Sequence, residues 1–311
     1  MRIERGSPML HGLFLLVQLT SAYPPEVCPG CAEWNAPAPG VRLFGNTYYV
    51  GTRGLSAILV TGSEGHILLD GGLPESAPVI MKNIRDLGFR VEDIKLILNS
   101  HPHYDHAGGI AALVAASGAP VAASPRAAPV LLSGRSGTDD PQYGVVLGFP
   151  PVDHVRVIAD GDTLRVGSLA IAAHFTPGHT PGGTSWSWRS CQGGQCRDLV
   201  YADSQNPISA DGFLFSRSTT YPGVMADFEK GFTVLEGIRC DLLLTPHPGT
   251  AHLWERLAAR EHGDSLALVD PAACRRYAGE TRERLAKRVA AEAARPDIDA
   301  QESRYPEVRF P

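Results

Sequence analysis

Four potential metal ligands lie within the six residues from His101 to His106, in the segment Asn99-Ser-His-Pro-His-Tyr-Asp-His-Ala-Gly-Gly109. Imidazole nitrogens and a carboxylate suit a borderline cation such as zinc. Alternate side chains of an extended chain point to the same side, so we expect His101, His103 and Asp105 to face one way, with His106 at the turn that follows. The segment therefore predicts a zinc site, and solvated loop histidines are the alternative that a short motif leaves open.

The elements predicted around this cluster are those of an α/β fold. The apolar run at residues 94–99 predicts a buried strand. Residues 107–118 predict a helix, with Ile110 and Leu113 on one face and Gly118 as its stop. The cluster is therefore expected at the carboxyl end of a strand, where α/β folds usually place their chemistry.

Two more histidines lie at the ends of strand-like runs. His179 follows the run that begins at residue 169 and precedes Pro and Gly turn signals, and His247 closes the apolar run that begins at residue 241. With the first cluster they make six potential ligands, enough for two zinc ions with a shared water and too many for one structural site. For the other histidines we expect surface or satisfied core roles.

Composition narrows the classes of partner. The 311-residue chain has a net charge of −5 and no Lys/Arg cluster before its last predicted helix, so it lacks the basic patch that a nucleic-acid partner requires. No apolar run reaches the ~18 to 20 residues of a membrane span. No linker divides residues 41–260 and the potential ligands occupy both halves of that region, so we expect one domain at residues 41–294, and a monomer.

The two ends of the chain are expected to lie outside that domain. Arginines precede an apolar run at residues 13–19 and small residues follow it, which is typical of a secretory signal peptide at residues 1–22. A buried N-terminal strand or helix is the alternative. We expect a Pro-rich arm without regular structure at residues 23–40, a polar tail at residues 295–311, and a periplasmic or secreted protein.

The remaining patterns predict two sheets packed face to face with helices outside, because strands occur in two batches that are each followed by helices. Strands are expected at residues 47–50, 57–61, 66–70, 184–189 and 198–202, and helices at residues 76–87, 226–238, 252–262 and 270–294. Asp270 is the predicted N-cap of the last helix.

These motifs make the chain similar to the metallo-β-lactamase superfamily, and specifically to the third subclass of the class B β-lactamases. The resemblance runs from about Trp34 to Cys274 and includes Gly45-Asn-Thr-Tyr-Tyr-Val-Gly51, Leu68-Leu-Asp-Gly-Gly72 and Leu244-Thr-Pro-His-Pro-Gly249. HxHxDH alone identifies only the superfamily, which also contains thioesterases, lactonases, phosphodiesterases and nucleases. The narrower resemblance rests on Phe175-Thr-Pro-Gly-His-Thr-Pro-Gly-Gly-Thr-Ser-Trp186, on the serine of Tyr201-Ala-Asp-Ser204 and on the cysteine spacing.

The resemblance implies an αββα sandwich of two mixed sheets with the site on one edge. It assigns one zinc ion to each of two ligand sets, His101, His103 and His179 for the first and Asp105, His106 and His247 for the second. A zinc ion held by three neutral histidines keeps its full charge, which lowers the pKa of bound water toward ~7 and supplies hydroxide at neutral pH. Asp105 would also hold the proton of that hydroxide, which gives it a catalytic role.

The leading hypothesis is a secreted zinc β-lactamase that hydrolyses the β-lactam amide of penicillins, cephalosporins and carbapenems, and so confers antibiotic resistance. The alternative is another binuclear zinc hydrolase of the same fold that acts on a lactone or a thioester. A zinc-dependent binding or structural protein is the third hypothesis. Six ligands argue against it, because a structural zinc site closes with four.

Residues next to the ligands are expected to have supporting roles. In the superfamily the counterpart of Asp70 supports the metal loop by hydrogen bonding, and a turn-capping aspartate gives nearly the same picture. Trp34, Phe149, Ser204 and Asn206 could line the substrate groove, although a loop Trp or Phe is as often a lid on the core.

Six cysteines in an exported chain predict disulfides. Cys191 and Cys196 flank a Gly-Gly hairpin tip, which brings them into bridging range. The resemblance implies a second disulfide between Cys240 and Cys274. The pair in Cys28-Pro-Gly-Cys31 either forms a tight loop or stays free.

The register around Asp203 separates the first two functional hypotheses. Lactonase and glyoxalase relatives place a carboxylate between their two metals at the end of this strand, whereas the β-lactamase subclass has there the serine of Ala-Asp-Ser, which does not bridge. Neighbouring strand residues face opposite sides, so Asp203 and Ser204 cannot both face the metals. We expect Ser204 to face the site and Asp203 not to bridge.

Overall fold

The computed structural model describes residues 27–294. The predicted signal peptide at residues 1–22, the first four residues of the arm and the predicted tail at residues 295–311 lie outside the described residues.

Seven strands form the first sheet in the order in which they occur along the chain. They are β1 (Val41–Phe44), β2 (Thr47–Tyr49), β3 (Ile58–Gly62), β4 (Gly65–Leu69), β5 (Ile94–Leu98), β6 (Val121–Ala123) and β7 (Val155–Val157). Strands β1 to β4 pair in antiparallel fashion and β4 to β7 in parallel. The sheet is therefore mixed.

Five strands form the second sheet. They are β8 (Thr163–Val166), β9 (Leu169–Phe175), β10 (Thr184–Gln192), β11 (Gln195–Tyr201) and β12 (Leu242–Leu244). Their order is β12-β11-β10-β9-β8, and all pairs are antiparallel except β11 with β12.

Eight α-helices accompany the sheets in the described part of the chain. They are α1 (Cys31–Trp34), α2 (Ala77–Asp86), α3 (Tyr104–Ala107), α4 (Ile110–Ser117), α5 (Ala128–Ser133), α6 (Val224–Gly237), α7 (Leu253–Glu261) and α8 (Ala273–Ala293). Within residues 27–294, none of these helices has the length and apolar character needed to cross a bilayer.

Alternation along the strands builds the layers. Ile67 and Leu69 point into the core between the two sheets, where Tyr201 of β11 also lies. Leu68 faces the opposite way, into an apolar cluster shared with α2, α4 and α5. Val200 likewise faces outward, against α6 and α8. The αββα sandwich expected from the sequence is thereby confirmed, because each sheet buries one face on the other sheet and one face under helices.

Three sequence predictions about helices need correction. The arm was expected to lack regular structure, but its residues 31–34 form α1. The helix expected at 107–118 begins only with α4, because the N–H of Gly109 donates to the carbonyl of Gly72 (3.2 Å) and the carbonyl of His106 accepts from the N–H of Gly71 (2.8 Å). Asp270 does not cap α8, whose N-cap is Ala272; its carboxylate instead accepts the backbone N–H of Ala272 (3.0 Å) in a preceding Asx turn.

All six cysteines are paired in the structure. The bonds are Cys28–Cys31, Cys191–Cys196 and Cys240–Cys274. The second closes the β10–β11 hairpin, the third ties the chain before β12 to the start of α8, and the first selects the tight-loop alternative for Cys28 and Cys31.

Removing the Cys240–Cys274 disulfide by a double Cys→Ser substitution should lower the free energy of unfolding by about 3 to 4 kcal/mol, since it closes a loop of sequence separation 34. The Cys191–Cys196 pair, with separation 5, is the matched control and should cost only about 2 kcal/mol. Urea unfolding under non-reducing conditions measures both. A larger loss for the hairpin pair would contradict the chain-entropy explanation.

Candidate metal centre

The potential ligands gather at one edge of the sandwich because the strands that carry them end there. The HxHxDH segment follows β5, His179 lies in the loop between β9 and β10, and His247 follows β12. The loop that carries His179 and the HxHxDH segment are joined directly, since the backbone N–H of Thr184 donates to the carbonyl of Ser100 (2.8 Å).

His101, His103 and His179 form the first cluster, called here the three-histidine group. All three are buried, and each offers a ring nitrogen within 4.8 Å of those of the other two. Their ring centroids are 4.9 to 5.1 Å apart. This is the set that the resemblance assigns to one zinc ion.

Each histidine of this group has a partner on its other ring nitrogen. Nδ1 of His101 lies 2.8 Å from Oδ1 of Asp203, Nε2 of His103 lies 2.9 Å from Oδ2 of Asp140, and Nδ1 of His179 lies 2.8 Å from a backbone carbonyl, that of residue 206. Such partners fix the tautomer and the ring orientation of a ligand. They leave Nε2 of His101, Nδ1 of His103 and Nε2 of His179 as the ligand atoms.

Asp105, His106 and His247 form the second cluster, called here the Asp105 group. Oδ2 of Asp105 lies 3.1 Å from Nε2 of His106 and 3.3 Å from Nε2 of His247. Ligand atoms of Asp105 and His106 also lie within 4.8 Å of one of His101, so the two groups adjoin. The structure thus brings all six predicted ligands to one place.

The electrostatics of His101, His179 and Asp105 suit metal binding, which needs neutral imidazoles and an ionised carboxylate. Burial lowers the pKa of His179 to about 3, and burial with neighbouring imidazoles lowers the pKa of His101 well below its ordinary value. Burial opposes protonation of His103 as well, but the carboxylate of Asp140 outweighs it and raises the pKa of His103. Burial also disfavours the charged form of Asp105, yet its two histidine partners hold its pKa well below the usual range.

One nitrogen provides a direct test of whether a metal fits. Nε2 of His101 is buried and has no hydrogen-bond partner in the described structure. A buried polar atom without a partner is rare and requires an explanation. A zinc ion would provide one, because Nε2 faces the other donors of the three-histidine group, and imidazole and carboxylate ligands are those that zinc prefers.

Asp70 supports the loop that carries these ligands. Its φ of 61° is unusual for a non-glycine residue and follows from the turn after β4. Oδ1 accepts from Nδ2 of Asn99 (3.0 Å) and from the N–H of Ser100 (2.7 Å), and Oδ2 accepts from Oγ of Ser100 (2.6 Å) and from the Tyr201 hydroxyl (2.7 Å). With four hydrogen bonds received, Asp70 clamps the start of the HxHxDH loop.

Asp203 lies behind His101 rather than among the ligand atoms. Its Oδ1 contacts Nδ1 of His101, the ring nitrogen remote from Nε2. Its Oδ2 lies against Gly183, where a Cβ would be only 2.3 Å away. Burial, with the carboxylate of Asp70 nearby, raises the pKa of Asp203 well above its ordinary value. The contact favours an orienting role for Asp203, and its not bridging two metals stays a prediction.

The four predicted substrate contacts have different surroundings. The Trp34 ring lies beside His247, with centroids 5.3 Å apart. Ser204, three residues after the end of β11, is 5% exposed, and Asn206 contacts His179 through its carbonyl. Phe149 is instead buried in the apolar cluster that includes α5, and its N–H donates to the carbonyl of Gly134 (2.9 Å), so the structure favours its alternative role as a lid on the core.

Sequence reasoning missed three groups that hold ligands. They are Asp140, the carbonyl of Asn206 and the carbonyl of Gly54, which lies 3.3 Å from Nδ1 of His247. The N–H of Gly54 also donates to the carbonyl of Trp34 (3.0 Å), and a Cβ on Gly54 would lie 2.6 Å from Cα of Trp34. All three are in irregular loops without periodic pattern, and only the glycine could have drawn attention.

Comparison with known proteins agrees with this geometry. A family model described as the metallo-beta-lactamase superfamily matches residues 50–222. The chain is 54% identical to the Rm3 metallo-beta-lactamase, with a TM-score of 0.84 and coverage of 86% of this chain and 99% of that one. It is 49% identical to MEM-A1, a subclass B3 metallo-beta-lactamase from a soil metagenome library, with a TM-score of 0.82 and coverage of 84% and 99%.

Curated relatives are more distant. A hydroxyacylglutathione hydrolase of Rhodobacter capsulatus is 32% identical over 126 residues, which are 40% of this chain and 39% of that protein. A protein of the same name from Jannaschia sp. (strain CCS1) is 34% identical over 110 residues, or 35% and 34% of the two chains. The chain thus spans between about a third and two fifths of the length of these curated relatives.

Proposed function

The chain belongs to the metallo-β-lactamase superfamily, and we propose that it is a zinc-dependent β-lactamase of the third subclass. Its substrates would be penicillins, cephalosporins and carbapenems, and its activity would confer resistance to them. The proposal takes residues 41–294 as one catalytic domain that acts as a monomer. Sedimentation analysis of the purified protein tests the monomer.

The observation that carries the proposal is the position of Asp203. In a thioester or lactone hydrolase of this fold, a carboxylate at this position would bridge the two metals. Here the Asp203 carboxylate contacts Nδ1 of His101 instead. The similarity to two solved metallo-β-lactamases, which extends over 99% of each of those chains, also supports a β-lactamase.

In this mechanism, His101, His103 and His179 would hold one zinc ion, and Asp105, His106 and His247 the other. The two ions would supply Lewis acidity and an activated water at neutral pH. Two histidine partners hold the pKa of Asp105 well below its usual range, so its carboxylate can accept a hydrogen bond from the attacking water and orient it. Trp34, beside His247, offers an apolar surface against which the bicyclic substrate can pack.

A second function has one specific observation in its favour. The curated relatives are named hydroxyacylglutathione hydrolases, so hydrolysis of a glutathione thioester is the alternative. It predicts that the thioester is turned over faster than any β-lactam.

We expect zinc-loaded protein to contain two zinc ions per chain and to hydrolyse a chromogenic cephalosporin and a carbapenem. A chelator should abolish the activity and added zinc should restore it, because the zinc ions supply the Lewis acid and the activated water. Elemental analysis and absorbance assays measure these outcomes, with a hydroxyacylglutathione thioester assayed in parallel. One zinc ion per chain, or faster turnover of the thioester, would contradict the proposal.

We also propose export to the periplasm or the medium. The support is the sequence pattern of residues 1–22 together with the three disulfides, since disulfides persist in oxidising compartments. N-terminal sequencing of the periplasmic protein should find Tyr23 first. Active protein that keeps residues 1–22 in the cytoplasm would contradict export.

A further inference from the structure

An irregular segment supplies the partner of His179. Residues 202–214, which follow β11, contain no helix or strand, yet the carbonyl of Asn206 lies 2.8 Å from Nδ1 of His179. That bond makes Nε2 the ligand atom, as described above. A backbone carbonyl orients a ring only if its segment is itself held in place.

The end of α8 holds this segment through a buried ion pair. Arg288 and Glu292 are one helical turn apart, with Nε and Oε1 3.0 Å apart, and the Glu292 side chain is 1% exposed. The Glu292 carboxylate accepts the N–H of Phe215 (3.0 Å) and of Ser216 (2.9 Å). A buried carboxylate holds its charged and backbone donors firmly in place. If one donor is removed, the desolvation free energy of the buried charge is no longer compensated.

Arg288 extends the same anchor toward the metal centre. Its Nη2 donates to Oγ of Ser209 (2.8 Å) and to the carbonyl of Phe213 (3.3 Å). Ser209 is three positions from Asn206, so the anchored stretch begins close to the carbonyl that contacts His179. The pair on α8 therefore fixes residues 209–216 at several points.

The anchored segment also reaches a second ligand. The N–H of Ala210 donates to the carbonyl of Pro141 (2.9 Å), and the preceding residue, Asp140, is the partner of His103. Movement of residues 209–216 would consequently disturb the partners of two ligands of the three-histidine group. The partners described for His106 and His247 are Asp105 and Gly54, which lie outside this segment.

We propose that the Arg288–Glu292 pair of α8 is a positioning element for the three-histidine group, acting through residues 206–216 on His179 and His103. The inference rests on zinc binding in the proposed function. It goes beyond that function by making α8 a determinant of one metal site and not of the other.

The test compares zinc affinity at each group separately, by competition with a chromophoric chelator. A His247→Ala background isolates the three-histidine group, and a His179→Ala background isolates the Asp105 group. Glu292→Gln keeps the side-chain size but replaces one acceptor with a donor. In the first background it should weaken zinc binding by about tenfold, the lower end of the effect of losing an outer partner of a ligand. In the second background the affinity should stay within about twofold.

Arg282→Ala is the matched control. Arg282 lies on the same helix and binds Glu229 and Glu236 of α6, not the segment at residues 206–216. It should leave zinc affinity unchanged in both backgrounds. Equal losses at both groups in Glu292→Gln, or the same loss in Arg282→Ala, would reduce the role of the pair to general stability and overturn the proposal.

A measurement without metal separates this inference from the proposed function. In metal-free protein, the Nδ1–H of His179 should give a slowly exchanging imidazole signal in ¹⁵N–¹H spectra, and Glu292→Gln should weaken or remove it. An unchanged signal in Glu292→Gln would overturn the positioning role. If the wild-type protein bound no zinc, the proposed function would fail, and this signal alone would decide the inference.

Discussion

Replacing His179 or His247 by alanine should each lower kcat/KM for β-lactam hydrolysis by about 1,000-fold or more, while the protein stays folded. A metal ion contributes several kcal/mol to transition-state stabilisation, and each ~1.4 kcal/mol is a factor of ten in rate. Both side chains lie at the edge of the sandwich, outside the apolar clusters that hold the sheets and helices together. Loss of either ligand should therefore remove one zinc ion without unfolding the chain.

The two variants should differ in which ion they lose. His179→Ala removes a ligand of the three-histidine group, and His247→Ala removes one of the Asp105 group. Steady-state kinetics measures the loss of activity, elemental analysis the loss of one zinc ion, and far-UV circular dichroism the retained fold. His262→Ala is the matched control, because that imidazole is exposed and, among residues 27–294, contacts the carbonyl of Ala258 on α7, so its kinetics and zinc content should match wild type. Activity within about tenfold of wild type in either ligand variant would refute the two-metal assignment.

Replacing Asp70 by alanine should instead destabilise the fold, by about 3 to 5 kcal/mol, the usual result of removing one partner from a buried charged network. Four donors on Asn99, Ser100 and Tyr201 would lose their acceptor at once. Alanine would also have to keep a φ near 61°, which its Cβ disfavours. Since about 1 kcal/mol shifts the melting temperature of a domain of this size by roughly 2 to 4 °C, a fall of about 10 °C is expected.

Thermal unfolding of metal-free protein measures this effect apart from any loss of zinc. Asp70→Asn is the informative partner variant, because asparagine tolerates left-handed backbone and keeps one oxygen acceptor, so its loss should be clearly smaller. Asp86→Ala, which removes an exposed carboxylate paired with Lys82 on α2, should change stability by no more than about 1 kcal/mol. If Asp70→Ala melted like wild type, the clamp on the HxHxDH loop would not be a structural requirement.

The sequence by itself determined the local parts of this protein. Four of the six ligands lie within one hexapeptide at the end of an apolar strand, so residue spacing alone brought them together. The Cys191–Cys196 bond followed from a hairpin of a few residues. Strands and helices with clear periodicity were predicted within a few residues of their observed bounds, because the apolar residues of a buried face recur with the period of the helix or strand.

The exact starts of two helices, α4 and α8, were not predicted from the sequence. Gly108 and Gly109 separate α3 from α4, because backbone hydrogen bonds join Gly109 to Gly72 and His106 to Gly71. Asp270 resembles an N-cap, but its carboxylate bonds to Ala272 in a turn before the helix. In both cases a competing contact outweighed the local preference.

Only the tertiary structure decided how the ligands are held. Asp203 reaches His101 across 102 positions of sequence, and Asp140 reaches His103 across 37. Glu292 binds a segment 76 to 77 positions earlier. Each of these contacts joins irregular loops or a loop and a helix, where no periodicity marks the partner. The physical reason is that hydrogen bonds act only between atoms already close together, and which atoms of distant segments meet depends on how the two sheets and α8 pack.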